Sequence, residues 1–384
     1  MRTRLTGWIA AVLLAASLPL APASAQYTSE TVAGRLEYPW SMAFLPDGRI
    51  LVTEKPGRLR IIENGVLDPE PVEGVPDVLH SGQGGLLDVA LSPDFETSRM
   101  VYLTWTAGPR RDNTLHLGRG RLEGGALTGF ETIFEATPRR RTDVHYGGRI
   151  AFLPGEITDH RPDGGGLVPP TLVLGIGDGF DFREEAQRPQ THFGSFVRLT
   201  LDGRPMPSPF DDANWGVMTI GHRNPQAVVY DARSGTLFSN EHGPRGGDEI
   251  NILMAGENYG WPIVSEGVDY SGALVTPFED YPGMRDPLHA WTPSIAPSGM
   301  SVYRGSMFPE WDGDLLVSAL IPGDASVPSG HVRRVDMEGG QVAGEEILFG
   351  EFERRIRDVR VAPDGAIWLL TDEPDGAAIR ISRD

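Results

Sequence analysis

His145 stands in Asp143-Val144-His145-Tyr146-Gly147-Gly148-Arg149, immediately before the apolar run Ile150 to Leu153. An imidazole is thereby presented at the entrance of a strand, beside a flexible Gly-Gly. It suits general-base chemistry because its ordinary pKa lies near neutral pH, provided that a partner fixes its tautomer. Asp178, in Gly177-Asp178-Gly179 at the end of the run Leu172 to Ile176, is a candidate partner from a neighbouring segment. A hydrogen-bonded structural histidine is the competing reading. The segment from Glu241 to Asn251, Glu-His-Gly-Pro-Arg-Gly-Gly-Asp-Glu-Ile-Asn, gathers turn formers, an arginine and the adjacent carboxylates Asp248 and Glu249. Its Gly-Pro and Gly-Gly pairs bend the backbone and turn carbonyl oxygens outward, and the carboxylates add the hard oxygens that Ca²⁺ prefers. An acidic surface turn has the same composition.

Three further segments carry recognition chemistry. In Gly221-His222-Arg223-Asn224-Pro225-Gln226 the residues before the proline are held extended, which aims Arg223 and Asn224 as a fork for an anionic or carbonyl-bearing ligand; a salt bridge with an Asn turn would use them equally well. In Arg354-Arg355-Ile356-Arg357-Asp358, strand alternation puts Arg355 and Arg357 on one face, either for an anionic partner or as solvated edge charge. Gln83-Gly84-Gly85-Leu86-Leu87-Asp88 brings a neutral amide to another strand entrance.

A recurring phrase, a turn with Asp, Gly or both followed by a short hydrophobic strand, defines the elements that must position these groups. It occurs as Pro46-Asp47-Gly48 before Ile50 to Glu54 and as Pro363-Asp364-Gly365 before Ile367 to Thr371. Looser copies are Ser92-Pro93-Asp94, Asp231 to Ser234 and Trp311-Asp312-Gly313. A sixth begins at Phe152-Leu153-Pro154-Gly155, its strand Thr171 to Gly175 displaced by the insertion Glu156 to Pro170. Copies separated by roughly 50 to 80 residues suit four-stranded blades with long loops. The pattern predicts an all-β fold, a six-bladed β-propeller of four-stranded antiparallel blades, whose function sits where loops converge on the central channel.

Composition agrees with a turn-rich β protein, since 48 glycines and 32 prolines in 384 residues exceed average use. A formal charge of −19 with no offsetting basic stripe argues against a nucleic-acid partner. The absence of cysteine excludes thiolate metal sites, thiol nucleophiles and iron-sulfur clusters. Arg2 and Arg4, the apolar run Trp8 to Leu20 and Ala23-Ser24-Ala25 form a secretory signal over residues 1–25. The run is too short to cross a bilayer. The reading is an exported chain, periplasmic or secreted, with residues 26–384 as one catalytic propeller domain and no membrane span after cleavage.

In this order the segments resemble the glucose/sorbosone dehydrogenase family, and most its soluble aldose sugar dehydrogenases that use pyrroloquinoline quinone (PQQ). Joint occurrence of Gln83 to Leu87, His145 to Gly148, Gly221 to Gln226, Glu241 to Glu249, Asn258-Tyr259-Gly260-Trp261-Pro262 and Arg355 to Val359 carries the likeness, which spans about Leu36 to Ile381. It implies an aldose substrate oxidised at C1, PQQ and Ca²⁺ as cofactors, and an external electron acceptor. Arg223, Asn224, Arg355 and Arg357 would hold the carboxylates and quinone oxygens of PQQ, Gln83 and Gln187 would add polar contacts, and Tyr270 would lie near the ring. The carbonyls of Gly243 and Pro244 would hold the Ca²⁺ that polarises the quinone. Glu249 and the region of Tyr259, with Asp269, resemble a second, structural Ca²⁺ site. His145 corresponds to the base at the C1 hydroxyl and Asp178 to its orienting carboxylate. Ile321, in Ser318-Ala319-Leu320-Ile321-Pro322-Gly323, departs from the family by replacing a lysine that reaches the cofactor. A secreted propeller of the same family that binds without catalysing is the alternative expectation.

Overall fold

The computed structural model describes residues 27–158, 166–213, 216–323 and 325–383. The expected signal segment 1–25 lies outside them. Six four-stranded antiparallel sheets are arranged as blades around a channel, a six-bladed β-propeller, with a short extra hairpin, Glu156–Thr158 with Gly166–Val168, in the predicted insertion.

Each of the six Asp/Gly turns leads into the second strand of one blade: Ile50–Glu54, Met100–Ala107, Thr171–Ile176, Thr236–Glu241, Leu315–Ala319 and Ile367–Thr371. These strands are apolar through most of their length, as at Leu315, Leu316 and Val317, each 0% exposed. The reason is geometric: a strand inside a blade is covered on both faces by neighbouring blades, so the alternation of a half-exposed sheet disappears.

The first strands of the blades, Pro39–Phe44, Leu86–Leu91, Gly147–Leu153, Pro225–Asp231, Pro297–Val302 and Ile356–Val361, touch one another in a closed ring about the channel. All six break register with their partner near their N-terminal end, for instance between Gly147 and Ile150 and between Ile356 and Asp358. Such bulges bend a strand and re-aim its side chains. They recur where the chemistry-bearing segments enter the ring.

A buried ionic network crosses the channel at those bulges. Arg149 pairs with Asp88 at 3.2 Å and with Asp358 at 2.9 Å, while Arg360 reaches Asp358 at 3.0 Å. Ser41 Oγ donates to Asp88 at 2.6 Å, and the amide of Ile150 to the other Asp88 oxygen at 2.8 Å. First strands of four blades are thus tied together by groups that burial would otherwise penalise heavily.

The last sheet uses both ends of the described chain. Strand Thr28–Leu36 pairs antiparallel with Gly376–Ser382, with Thr28 opposite Ser382, and so completes the blade built from Ile356–Val361 and Ile367–Thr371. No described helix is long and apolar enough to cross a membrane.

Candidate active site

His145 is held in a left-handed backbone conformation at φ 54°, just before the bulged strand Gly147–Leu153. Two side chains fix that backbone: the amide donates to Gln83 Oε1 at 2.7 Å, and the carbonyl accepts from Arg140 Nη1 at 2.6 Å. The ring Nδ1 meets Asp178 Oδ1 at 2.7 Å. Asp178 also accepts from the amide of Phe180 at 2.7 Å and, through Oδ2, from Trp261 Nε1 at 2.8 Å. Burial would raise the Asp178 carboxyl, but contact with His145 and the nearby Arg223 outweigh it and hold the group below the usual carboxylate range. An ionised carboxylate only accepts, so Nδ1 carries the proton and Nε2 keeps its lone pair. Burial lowers the pKa of His145, and the charges of Arg223 and Arg140 add to the effect against the pull of Asp178, which keeps the imidazole neutral and basic at neutral pH.

That imidazole lines a cavity of about 300 Å³ together with Phe180, Arg223, Pro244, Trp261 and Tyr270. Phe180 stands edge-on to His145 at 5.0 Å and stacks with Tyr270 at 6.3 Å. Arg223 lies 5.2 Å from the centroid of the Trp261 ring and donates from Nη1 to the carbonyls of His242 at 3.1 Å and Gly243 at 2.6 Å. Asp181, Arg183, Glu184 and Asp269 complete the lining, so aromatic rings and charges of both signs face the neutral base, a surface suited to a polar, hydroxylated ligand.

A second cavity, of about 280 Å³, is lined by Lys55, Gln83, Gln226, His242, Arg355 and Arg357, with Asp372 among them. Asp372 Oδ2 accepts from Arg355 at 2.9 Å and from Arg357 at 2.9 Å. Burial raises Asp372, yet Arg357 and Arg355 together drive its carboxyl far below the usual range. Burial, with Arg223 nearby, pushes His242 down to about 3, so this residue adds no charge. The loop at His242 to Pro244 is common to both cavities, with His242 on one wall and Pro244 on the other.

The expected site residues therefore divide. His145, Asp178, Arg223, Pro244 and Tyr270 surround the first cavity, and Gln83, Arg355 and Arg357 the second. Asn224 lines neither cavity; it is buried, its Nδ2 at 3.5 Å from His242 Nδ1. Gln187 lines neither; its amide is engaged with Asn258 at 3.0 and 2.7 Å and with the Trp261 carbonyl at 2.7 Å, so it braces the loop carrying Trp261. Sequence reasoning assigned no role to Trp261, Arg140, Lys55 or Asp372. Trp261 belongs to a segment already singled out, whereas Asp372 merely follows an apolar strand and gave no signal.

The oxygen-rich segment behaves differently from its two carboxylates read side by side. Asp248 is saturated by protein donors: the amides of Gly243, Ile295 and Ala296 at 2.9, 2.7 and 2.8 Å and the hydroxyl of Ser294 at 2.7 Å. It is a brace rather than a free metal ligand. Glu249 sits directly opposite Glu241 in the sheet, and Asn251 Nδ2 lies between them at 3.0 and 3.3 Å. Glu241 is further held by the ring of His222 and the amide of Arg223. Burial, then the charge of Glu241, raises the Glu249 carboxyl well above its usual value. A void of about 10 Å³, bounded by Glu241, Gly243, Gly247, Glu249 and Ser265, adjoins the pair. A buried and a part-buried acid on one small void have the oxygen chemistry of a hard divalent cation site. Tyr259 stacks on His222 at 4.6 Å and so stands behind Glu241. Asp269 is not brought to Glu249: it is exposed, bonded to Ser271, lies 3.6 Å from Arg183, and lines the His145 cavity. Among the described residues no three His, Cys, Asp or Glu side chains form a metal cluster, so carbonyl oxygens must complete any such site.

The fold and site together define a six-bladed propeller with a histidine–carboxylate pair at its strand entrances. The family model for glucose/sorbosone dehydrogenase matches residues 36–380, and the chain belongs to that family. It is 37% identical over 381 residues to an aldose sugar dehydrogenase of Escherichia coli, covering 97% of this chain and 96% of that one. The apo crystal structure of the soluble aldose sugar dehydrogenase from Escherichia coli superposes with a TM-score of 0.82 at 35% identity, covering 94% of this chain and 100% of the other. The PQQ-bound form of aldose sugar dehydrogenase from Streptomyces coelicolor superposes with a TM-score of 0.69 at 28% identity, covering 93% and 99%.

Proposed function

We propose that this protein is a PQQ- and Ca²⁺-dependent aldose dehydrogenase that oxidises the C1 hydroxyl of a cyclic sugar to a lactone. The observation that carries the reading is the buried His145–Asp178 pair, at 2.7 Å, on a polar cavity next to a cationic one. PQQ, when bound, supplies a two-electron quinone that accepts the hydride from C1. His145 Nε2 takes the hydroxyl proton, and Asp178 fixes the ring and stabilises the imidazolium that results. Trp261 and the Phe180 amide hold the carboxylate in that orientation. Arg355 and Arg357 hold carboxylates of PQQ, with Gln83, Arg223 and Asn224 supplying further polar groups. The carbonyl of Gly243 already faces a cation, the Arg223 guanidinium, and with Pro244 it suits Ca²⁺ if Arg223 turns to the quinone. The Glu249 void suits the structural Ca²⁺.

Residues 26–384 act as one catalytic domain, exported by residues 1–25 to the periplasm or beyond, and an external electron acceptor would be the final oxidant. A binding module without catalysis would have no use for a buried neutral imidazole oriented by an ionised carboxylate. The test adds PQQ and Ca²⁺ to the purified protein and follows dye reduction with a panel of aldoses; no sugar-dependent reduction by a cofactor-loaded protein would refute the reading.

A further inference from the structure

The chain has 34 cationic side chains, and Lys55 is its one lysine. That residue lies on the wall of the cavity lined by Arg355 and Arg357. It directly follows strand Ile50–Glu54, whose blade neighbours the one that carries the arginines. The blade of Ile321 adjoins the arginines on their other side. Ile321 itself is partly exposed, and the neighbouring Leu320 lines the cavity in its place.

The ammonium of Lys55 donates to the Gly82 carbonyl at 3.1 Å and stands 5.7 Å from the centroid of the Tyr38 ring. An ammonium has three donors, so that single hydrogen bond leaves two for a ligand. No carboxylate among the described residues pairs with it. The one acid in the lining, Asp372, is shared by both arginines. Three cations therefore face one carboxylate, in a chain whose formal charge is −19. Burial, then the charge of Arg357, lowers the pKa of Lys55, so an arriving anion would relieve its repulsion from the arginines. Lysine also differs from arginine in kind: its compact point charge approaches a single oxygen where a planar fork does not fit.

We propose that Lys55 is the third cation of this cavity, supplying from the opposite flank the charge that Ile321 lacks, so that Lys55, Arg355 and Arg357 together hold a ligand with at least two carboxylates. The role rests on the PQQ reading above. Because Lys55 is the only side-chain amine, reductive ¹³C-methylation gives one side-chain signal, assigned by its loss in Lys55→Arg. Addition of PQQ with Ca²⁺ should shift that signal and raise the pKa at which it titrates. Lys55→Gln should weaken PQQ binding by about ten- to a hundredfold, the usual worth of a charge-assisted hydrogen bond. Lys55→Arg should recover much of it, and thermal unfolding of the variants checks that the fold is retained. Wild-type binding of PQQ with an unmoved amine signal and an unchanged affinity in Lys55→Gln would overturn the role of Lys55 alone. A wild-type protein that takes up no PQQ in the presence of Ca²⁺ would overturn the cofactor reading and this role with it.

Discussion

A neutral imidazole at neutral pH, kept so by burial and two arginines, is the residue on which the chemistry turns. With His145→Gln, PQQ binding should remain near wild type while the single-turnover rate of PQQ reduction by excess aldose falls about 10²- to 10⁴-fold, the usual worth of a positioned base. Asp178→Asn should lose less, because the ring stays in place with its tautomer less firmly set. Since the folded pKa of His145 is depressed, the base is fully active above the ordinary histidine range and is lost only as pH falls through the lower folded value. The acid limb of kcat/KM in the free enzyme should accordingly lie below about 6.5, the ordinary histidine value; a limb above it would place the titration elsewhere. Arg357 is buried against Asp372, and Arg357→Ala should weaken PQQ affinity by about 1.5 to 3 kcal/mol, measured by cofactor titration.

Strand entrances, rather than loop tips, carry the site. His145, Arg223, Asn224 and Gln83 stand just before bulged first strands, so each is aimed by a kink in a rigid sheet. Their placement at strand starts was legible in the sequence, because a Gly-rich or pre-proline segment followed by an apolar run marks such an entrance. Asp269 was not. Its position depends on loop contacts such as the Arg245 amide to the Val268 carbonyl at 2.9 Å, which link segments with no periodic signal. Asp248 misled for a related reason: composition reveals a carboxylate but not the four donors that use it. The pair Glu241 and Glu249 yields a prediction at this scale. The Glu249 carboxyl, raised in the folded state, is protonated there when the unfolded chain has already lost the proton, so Glu249 opposes folding as pH rises above the ordinary carboxylate range. A bound Ca²⁺ would remove that penalty. The gain in Tm on exchanging chelator for Ca²⁺ should therefore grow between pH 5 and 8, which calorimetry in both buffers would measure; a gain independent of pH would argue against Glu249 as a ligand.

Blade number was the most legible property of the whole molecule, because each blade announces its first hairpin with an Asp/Gly turn and its second strand with an unbroken apolar run. The channel network was hidden, since Asp88, Arg149 and Asp358 are far apart in sequence and meet only on closure. Arg149→Ala would leave two buried carboxylates sharing the single guanidinium of Arg360 and should cost about 3 to 5 kcal/mol in denaturant unfolding, as for other broken buried ion pairs; a loss under 1 kcal/mol would show that Arg360 or entering water replaces the guanidinium. The pairing of Thr28 with Ser382 also governs timing. Those residues are 354 positions apart, so at about 5 to 20 residues per second the strand made first waits roughly 20 to 70 seconds for the strand made last. A strand left unpaired that long is a template for wrong partners. Thr28, Ser29, Glu30 and Thr31 open it, all outward-facing and polar in the finished blade, which is the composition of a segment that can wait in water without finding one.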